Sequence, residues 1–445
     1  MKMDQHTTHR TPADQVHTKL RQRMLVDGFD FVFDPVRSTG PWLVDAKDGK
    51  RYLDLFSFFA SAPLGYNHPG MADPAFRERL LEAALSKPTC SDVYTQAQAD
   101  FVETFSRTLP TGFDHLFFIE GGTLGVENAL KVAFDWKVQK NRAAGRGAQL
   151  GTQVLHFQSA FHGRSGYTLS LTNTADPRKY RDFPMFDWPR VAAPGLNFPL
   201  NADSLADVAQ REQETMKALR AAIAERGHDI AALIIETIQG EGGDVHFRPE
   251  FLRSLRALAD EAEMLLIFDE VQCGMGLTGR WWAFEHYGVL PDIFTFGKKT
   301  QVCGLAATRR CDEVDSVFKV GSRINSTWGG NLTDMVRCER YIQIIESEGL
   351  LEAAATTGRY ALSRLEELAQ RHPVISNVRG KGLMLAFDLP DSAKRDALRS
   401  LLMQEQVIIL SCGQRSLRFR PSLDFPREAV DIAVQRIDNA VRKLT

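Results

Sequence analysis

The sequence predicts an α/β protein, with a mostly parallel sheet in a large domain and a smaller α+β domain after it. The first observation is that short apolar runs without alternation recur through the middle of the chain, separated by helical stretches. Strands buried on both faces of a helix-covered sheet have that pattern. The second is that this rhythm stops near residue 336, where helices give way to short strands and a closing amphipathic segment. The third is length, since 445 residues exceed a single core.

The elements follow in order. Residues 1–11 are polar and His-containing, and read as a tail; 13–27 read as a helix of mixed charge. Residues 41–56 read as a hairpin turning at Asp48-Gly49. With no helix to complete a βαβ unit, the hairpin is expected to pack with the C-terminal lobe. Strands are expected at 116–119, 153–157, 231–236, 264–268 and 292–296, with helices at 125–139, 206–226 and 249–262. Beyond them come helices at 333–348 and 350–371, strands near 383–388, 407–410 and 417–420, and a final helix at 427–444. The expected division is an N-terminal segment 1–70, a large domain 71–335 and a small domain 336–445.

Composition excludes several classes. Net charge is -2, so no global basic surface points to nucleic acid. No apolar run reaches membrane-spanning length, and the N-terminus has no signal-peptide core. The six cysteines (90, 273, 303, 311, 338 and 412) form no C-x-x-C pair and no metal-ligand spacing. A cytoplasmic protein without a metal is expected.

Ligands of open α/β sheets sit beyond the carboxyl ends of the strands. There the sequence places Glu120-Gly121-Gly122-Thr123, Phe161-His162-Gly163-Arg164, Gln239 to Gly243, Asp269-Glu270-Val271-Gln272 and Gly297-Lys298-Lys299. A glycine turn opening a helix offers N–H groups and a dipole to a phosphate, here at Gly122 and Thr123. Asp269 could pair with a protonated pyridine nitrogen. A lysine of depressed pKa can form a Schiff base. Lys298 is the better candidate than Lys299, because neighbours project differently and Gly297 leaves room beside it. Each has a plainer reading alone: an N-cap at Thr123, a salt bridge at Asp269, a solvated amine at Lys298. His162 has no metal-ligand pattern around it and reads as a structural imidazole; Glu270 reads as structural.

Order and joint placement add what single residues lack. The run 268–279 (FDEVQCGMGLTG), then PDIFTFGKK, resembles the class III aminotransferases, the ω-branch of fold-type I pyridoxal-phosphate enzymes. The resemblance covers nearly the whole chain after the tail. EGGTLGVENALK at 120–131, FGKKTQVCG at 296–304, NSTWGGN at 325–331 and FSFFASAPLGYNHP at 56–69 are similar to members that act on the ε-amine of L-lysine. It implies pyridoxal 5'-phosphate as cofactor, L-lysine and 2-oxoglutarate as substrates, and a homodimer with active sites at the subunit interface. It implies roles residue by residue. Lys298 matches the Schiff-base lysine and Asp269 the partner of the ring nitrogen. Val271 and Phe161 would take the two ring faces, Gln272 the phenolic oxygen, and Gly122 and Thr123 the phosphate. Thr327 would reach the phosphate from the neighbouring subunit. Arg418 would lie near the reacting carbon with Glu241 as its partner, while Arg164 would hold the lysine α-carboxylate. Arg420 remains a rival to Arg418. The sequence departs from the family at Gly121 (usually Ser), Leu124 (Glu), Leu277 (often Arg) and Thr237 (commonly Pro).

Other readings weigh less. Gly274 to Gly279 spells G-x-G-x-x-G, but five residues separate it from the strand and it runs into Arg280-Trp281-Trp282. A non-catalytic binding protein would have no need of both Lys298 and Asp269. Decarboxylation or internal amine migration on the same cofactor, and ornithine or 4-aminobutyrate as amine donor, are the rivals.

Overall fold

The computed structural model describes residues 10–444, so most of the expected tail (1–9) lies outside the described residues. The hairpin forms as β1 (Trp42–Val44) and β2 (Arg51–Asp54), antiparallel with Leu43 opposite Tyr52. Gly49 turns it at φ +76, and Asp48 Oδ1 accepts the Lys50 N–H at 3.0 Å.

A seven-stranded sheet follows. Its strands are β3 (Phe113–Ile119), β4 (Gln153–Phe157), β5 (Arg190–Val191), β6 (Ile230–Glu236), β7 (Leu265–Asp269), β8 (Ile293–Phe296) and β9 (Cys303–Thr308). The order is β3-β9-β8-β7-β6-β4-β5. From β8 to β5 every pairing is parallel, while β9 is antiparallel to both neighbours. β3 therefore runs with the rest, and the carboxyl ends of β3, β4, β6, β7 and β8 share one edge. Strand β9 was not expected. Its small residues (CGLAAT) form no strong apolar run, yet the helix Gly122–Ala143 must lie close upon it. A Cβ on Gly125 would come 2.9 Å from Gly304 O.

β6, β7 and β8 are buried at every position, so their runs do not alternate. Leu233 and Ile235 of β6 join the core on one face, Ala232 and Ile234 the core on the other. The helix Pro249–Glu261 presents Phe251, Leu252, Leu255 and Leu258 to the first.

The C-terminal part contains β10 (Ser376–Lys381), β11 (Met384–Asp388), β12 (Val407–Ile408), β13 (Leu410–Cys412) and β14 (Ser416–Phe419). Four of them make an antiparallel sheet ordered β10-β11-β14-β13. β12 instead pairs parallel with β2, Val407 opposite Leu53, so the N-terminal hairpin and C-terminal chain share a small sheet. The expected strand at 407–410 is thus two strands serving different sheets. The expected helix at 13–27 shortens to a 3-10 turn, Ala13–Gln15, and one α segment, Val16–Arg21, with no buried residue to hold more. The 335/336 division falls inside the continuous helix Leu332–Ser347. Ser57 to Ala60 form a left-handed turn, φ +40 to +69, held by Asp54 Oδ1 accepting the N–H groups of Phe56 and Ser57, both at 2.8 Å.

Candidate active site at the carboxyl edge of the large sheet

Asp269 is the last residue of β7, lying between Glu236 of β6 and Thr295 of β8 in register. It is 5% exposed. Three donors offset its burial. Its Oδ2 lies 2.8 Å from His162 Nδ1, and its Oδ1 accepts the Val271 N–H at 3.0 Å and the Thr295 hydroxyl at 3.2 Å. His162, read from the sequence as a structural imidazole, stands at the site itself: its ring sets the Asp269 carboxylate, while its Nε2 is buried without a partner. Glu270 points to the opposite face, where its oxygens accept the Thr237 hydroxyl and the N–H groups of Ala283 (2.7 Å) and Phe284 (3.1 Å). That explains the departure at 237, since a proline there would leave Glu270 one donor short.

The two lysines after β8 diverge. Lys298 takes φ +53 at the start of a 3-10 turn, and its amine makes no hydrogen bond or ion pair among the described residues. Burial, then the nearby Arg418, pulls its pKa down. Lys299 turns into the core, where its amine donates to Ala62 O at 2.8 Å and Pro421 O at 3.2 Å. Burial pushes that amine down to about 7, but it is tied into the packing.

Seven of the expected residues line one cavity of about 210 Å³: Gly122, Thr123, Phe161, Asp269, Val271, Gln272 and Lys298. Gly122 begins the helix Gly122–Ala143 behind Gly121 at φ +99. A Cβ on Gly122 would sit 3.0 Å from Val271 Cγ1, so glycine keeps that wall open. His162, for which the sequence offers only a structural reading, and Glu236, which it does not single out, also line the cavity. Glu236 accepts the N–H groups of Phe161 (2.9 Å) and Gly240 (3.0 Å), and burial pushes its carboxyl up to about 7.

Beside the cavity stand the charged groups. Arg418 on β14 donates to Glu241 Oε2 at 2.7 Å and to Gln272 Oε1 at 3.1 Å, while its Nε is buried without a partner. Arg420 is saturated: it grips Asp244 and donates to Gln272 Oε1 at 3.1 and 2.9 Å. Gln272, which lines the cavity, has its Oε1 shared by the two arginines. Glu241 also accepts Lys179 Nζ at 2.6 Å, a contact no motif announced. Arg164 and Thr327 do not line this cavity; both are exposed.

The Aminotransferase class-III family matches residues 26–441. The chain is a class III aminotransferase. It is 54% identical over 439 residues to the L-lysine-epsilon aminotransferase of Mycobacterium tuberculosis, covering 98% of this chain and 97% of that one. With the L-lysine-epsilon aminotransferase of Streptomyces clavuligerus it shares 50% identity over 96% of this chain and 94% of the relative. The solved structure of lysine aminotransferase from M. tuberculosis, in the internal aldimine form, superposes with a TM-score of 0.95 at 54% identity. That match covers 98% of this chain and 100% of the other. The architecture is fold-type I, and enzymes of this class work with pyridoxal 5'-phosphate.

The aminotransferase cavity fits that cofactor by its own chemistry. It offers an unpartnered amine, a buried carboxylate fixed by three donors, a helix N-terminus and two apolar walls, Phe161 and Val271. All six cysteines are free and buried, and among the described residues no helix is long and apolar enough to cross a membrane.

Proposed function

We propose that this aminotransferase moves the ε-amino group of L-lysine to 2-oxoglutarate. The products are 2-aminoadipate 6-semialdehyde, which closes to piperideine-6-carboxylate, and L-glutamate. The Arg418–Glu241 pair carries the proposal. An α-amino acid needs a free cation for the carboxylate beside its reacting carbon. Here Glu241 occupies that cation, so a substrate entering by a terminal amine meets a neutralised arginine. The names of the mycobacterial and Streptomyces relatives point the same way. Arg164, exposed and unpaired among the described residues, is suited to hold the distant α-carboxylate.

Bound pyridoxal 5'-phosphate supplies a ring that accepts the electron pair left when a proton departs the amine-bearing carbon. Lys298 would hold it through the unpartnered amine. Once freed by the incoming substrate, that amine would take the proton from the lysine Cε and deliver it to the cofactor carbon. Asp269, set by His162, would keep a proton on the ring nitrogen. Phe161 and Val271 would pack on the two ring faces, with Gln272 Nε2 toward the phenolic oxygen. Gly122 and Thr123 would hold the phosphate, joined by Thr327 of the neighbouring subunit in a homodimer. The six buried thiols suit a reducing, cytoplasmic setting.

For 2-oxoglutarate, Glu241 must leave Arg418. Glu241→Ala is expected to shift the ratio of lysine to glutamate half-reaction rates toward glutamate by on the order of tenfold or more. An unchanged ratio in single-turnover kinetics would remove Glu241 from the switch. Burial pushes the Glu241 carboxyl up, but Arg418 and then Lys179 outweigh it and leave it below the ordinary glutamate range. With the folded value depressed, the pair is complete above the ordinary glutamate pKa and breaks only as pH falls through the lowered value. The lysine-to-glutamate rate ratio should therefore be flat from neutral to mildly acidic pH; a step near the ordinary glutamate pKa would contradict the pairing. The substrate proposal is tested by incubating purified enzyme with lysine, ornithine, 4-aminobutyrate or α-amino acids plus 2-oxoglutarate and identifying the carbonyl product. Lysine giving no ε-derived aldehyde would reassign the substrate within the class.

A further inference from the structure

Glu241 is held by two cations, not one. Its Oε2 takes the inner contact from Arg418, which is 4% exposed, and its Oε1 takes Lys179 Nζ at 2.6 Å. The two cations come from different parts of the chain. Arg418 lies on β14, whereas Lys179 ends a short turn, Pro177–Lys179, capped by Asp176. Glu241 and Lys179 both line a groove of about 750 Å³ outside the inner cavity, so Glu241 has space on the Lys179 side. Its side chain is 23% exposed and that of Lys179 is 26% exposed.

A carboxylate leaving Arg418 with no other cation would be stranded in a partly buried place, which is costly. Lys179 removes that cost, because the Oε1 contact can persist while the Oε2 contact breaks. In the closed arrangement Arg418 already compensates Glu241, so Lys179 matters less there than in the open one. A group that stabilises one state more than the other shifts the balance by that difference.

We propose that Lys179 is the second anchor of Glu241, a positioning residue that sets how readily Arg418 is released to bind a dicarboxylate. This rests on the proposed role of Glu241. It is a role for Lys179 through Glu241, not through contact with substrate.

The test uses holoenzyme and glutarate, a dicarboxylate with no carbonyl to react. Calorimetry gives its Kd for wild type, Lys179→Met, Lys179→Arg, Glu241→Ala and the Lys179→Met/Glu241→Ala double variant, with KM for L-lysine measured beside it. Lys179→Met is expected to raise the glutarate Kd about tenfold, the scale of one charge-assisted hydrogen bond. The lysine KM should move several-fold less, and Lys179→Arg should restore most of the binding. In the Glu241→Ala background Lys179→Met should have no further effect. An unchanged glutarate Kd in Lys179→Met, an equal rise in both constants, or an undiminished effect without Glu241 would each overturn the proposal. Failure of wild type to bind glutarate would overturn it too. If lysine proves not to be a substrate while the glutarate cycle holds, the substrate proposal fails and that for Lys179 stands.

Discussion

Lys298→Ala is expected to lower turnover by at least about a thousandfold, the range set by loss of a positioned general base and acid. Borohydride treatment should attach the cofactor covalently to wild type, at a peptide containing Lys298, and should attach none to Lys298→Ala. The structure makes the neighbouring lysine a sharp control. Lys299 donates to the carbonyls of Ala62 and Pro421, so Lys299→Met leaves two buried acceptors without that donor. That variant should lose about 1–3 kcal/mol of stability, read by denaturant unfolding, yet keep its covalent attachment. Attachment at Lys299, or full turnover in Lys298→Ala, would reverse the assignment of the two residues.

Asp269→Asn is expected to reduce the lysine half-reaction by about 10²–10⁴-fold, because a neutral amide cannot hold a proton on the ring nitrogen by charge. The geometry adds a second penalty. His162 Nδ1, the Val271 N–H and the Thr295 hydroxyl all converge on this side chain. An amide oxygen can accept from only some of them, and its NH2 then faces either a donor or a His162 ring forced into its other tautomer. Single-turnover absorbance changes with L-lysine measure the effect directly. A loss below about tenfold would mean that Asp269 serves the packing of the sheet edge and not the proton. His162→Gln should fall between Asp269→Asn and wild type, since it loosens the carboxylate without removing it.

Much of this was legible in the sequence, and the exceptions have physical reasons. β6, β7 and β8 announce themselves because burial on both faces demands unbroken apolar runs. β9 hides because its run of Cys, Gly, Ala and Thr around a single leucine carries little apolar signal, and the close approach of the helix over it is met by a glycine on the helix, Gly125. The helix Ser392–Gln404 gives no clear periodic signal, because only Leu398 and Leu402 are buried and its apolar face is two residues wide. Most residues of the cavity are legible because they follow strand ends that the topology brings to one edge; Glu236, itself the last residue of β6, is not, since a strand-end carboxylate alone reads as structural. His162 lies in the run after β4 but its part is not legible there, because nothing in a sequence shows its ring aimed at Asp269 from 107 positions away. Lys179 carries no signal in the sequence; its place beside Glu241 comes from the short turn Pro177–Lys179, 62 positions away. Arg418 and Arg420 could not be ranked until their partners were seen. Arg420 is consumed by Asp244 and Gln272, whereas Arg418 keeps a buried Nε without a partner.

The most direct measurement follows one nitrogen atom. Purified enzyme is given L-lysine labelled with 15N only at the ε position, together with 2-oxoglutarate, and the glutamate formed is examined by mass spectrometry. Transfer from the terminal carbon predicts 15N-labelled glutamate and an unlabelled product that cyclises through its α-amine. Unlabelled glutamate, with the 15N retained in the lysine-derived product, would mean that the α-amine had reacted and that Glu241 does not hold Arg418 away from the substrate.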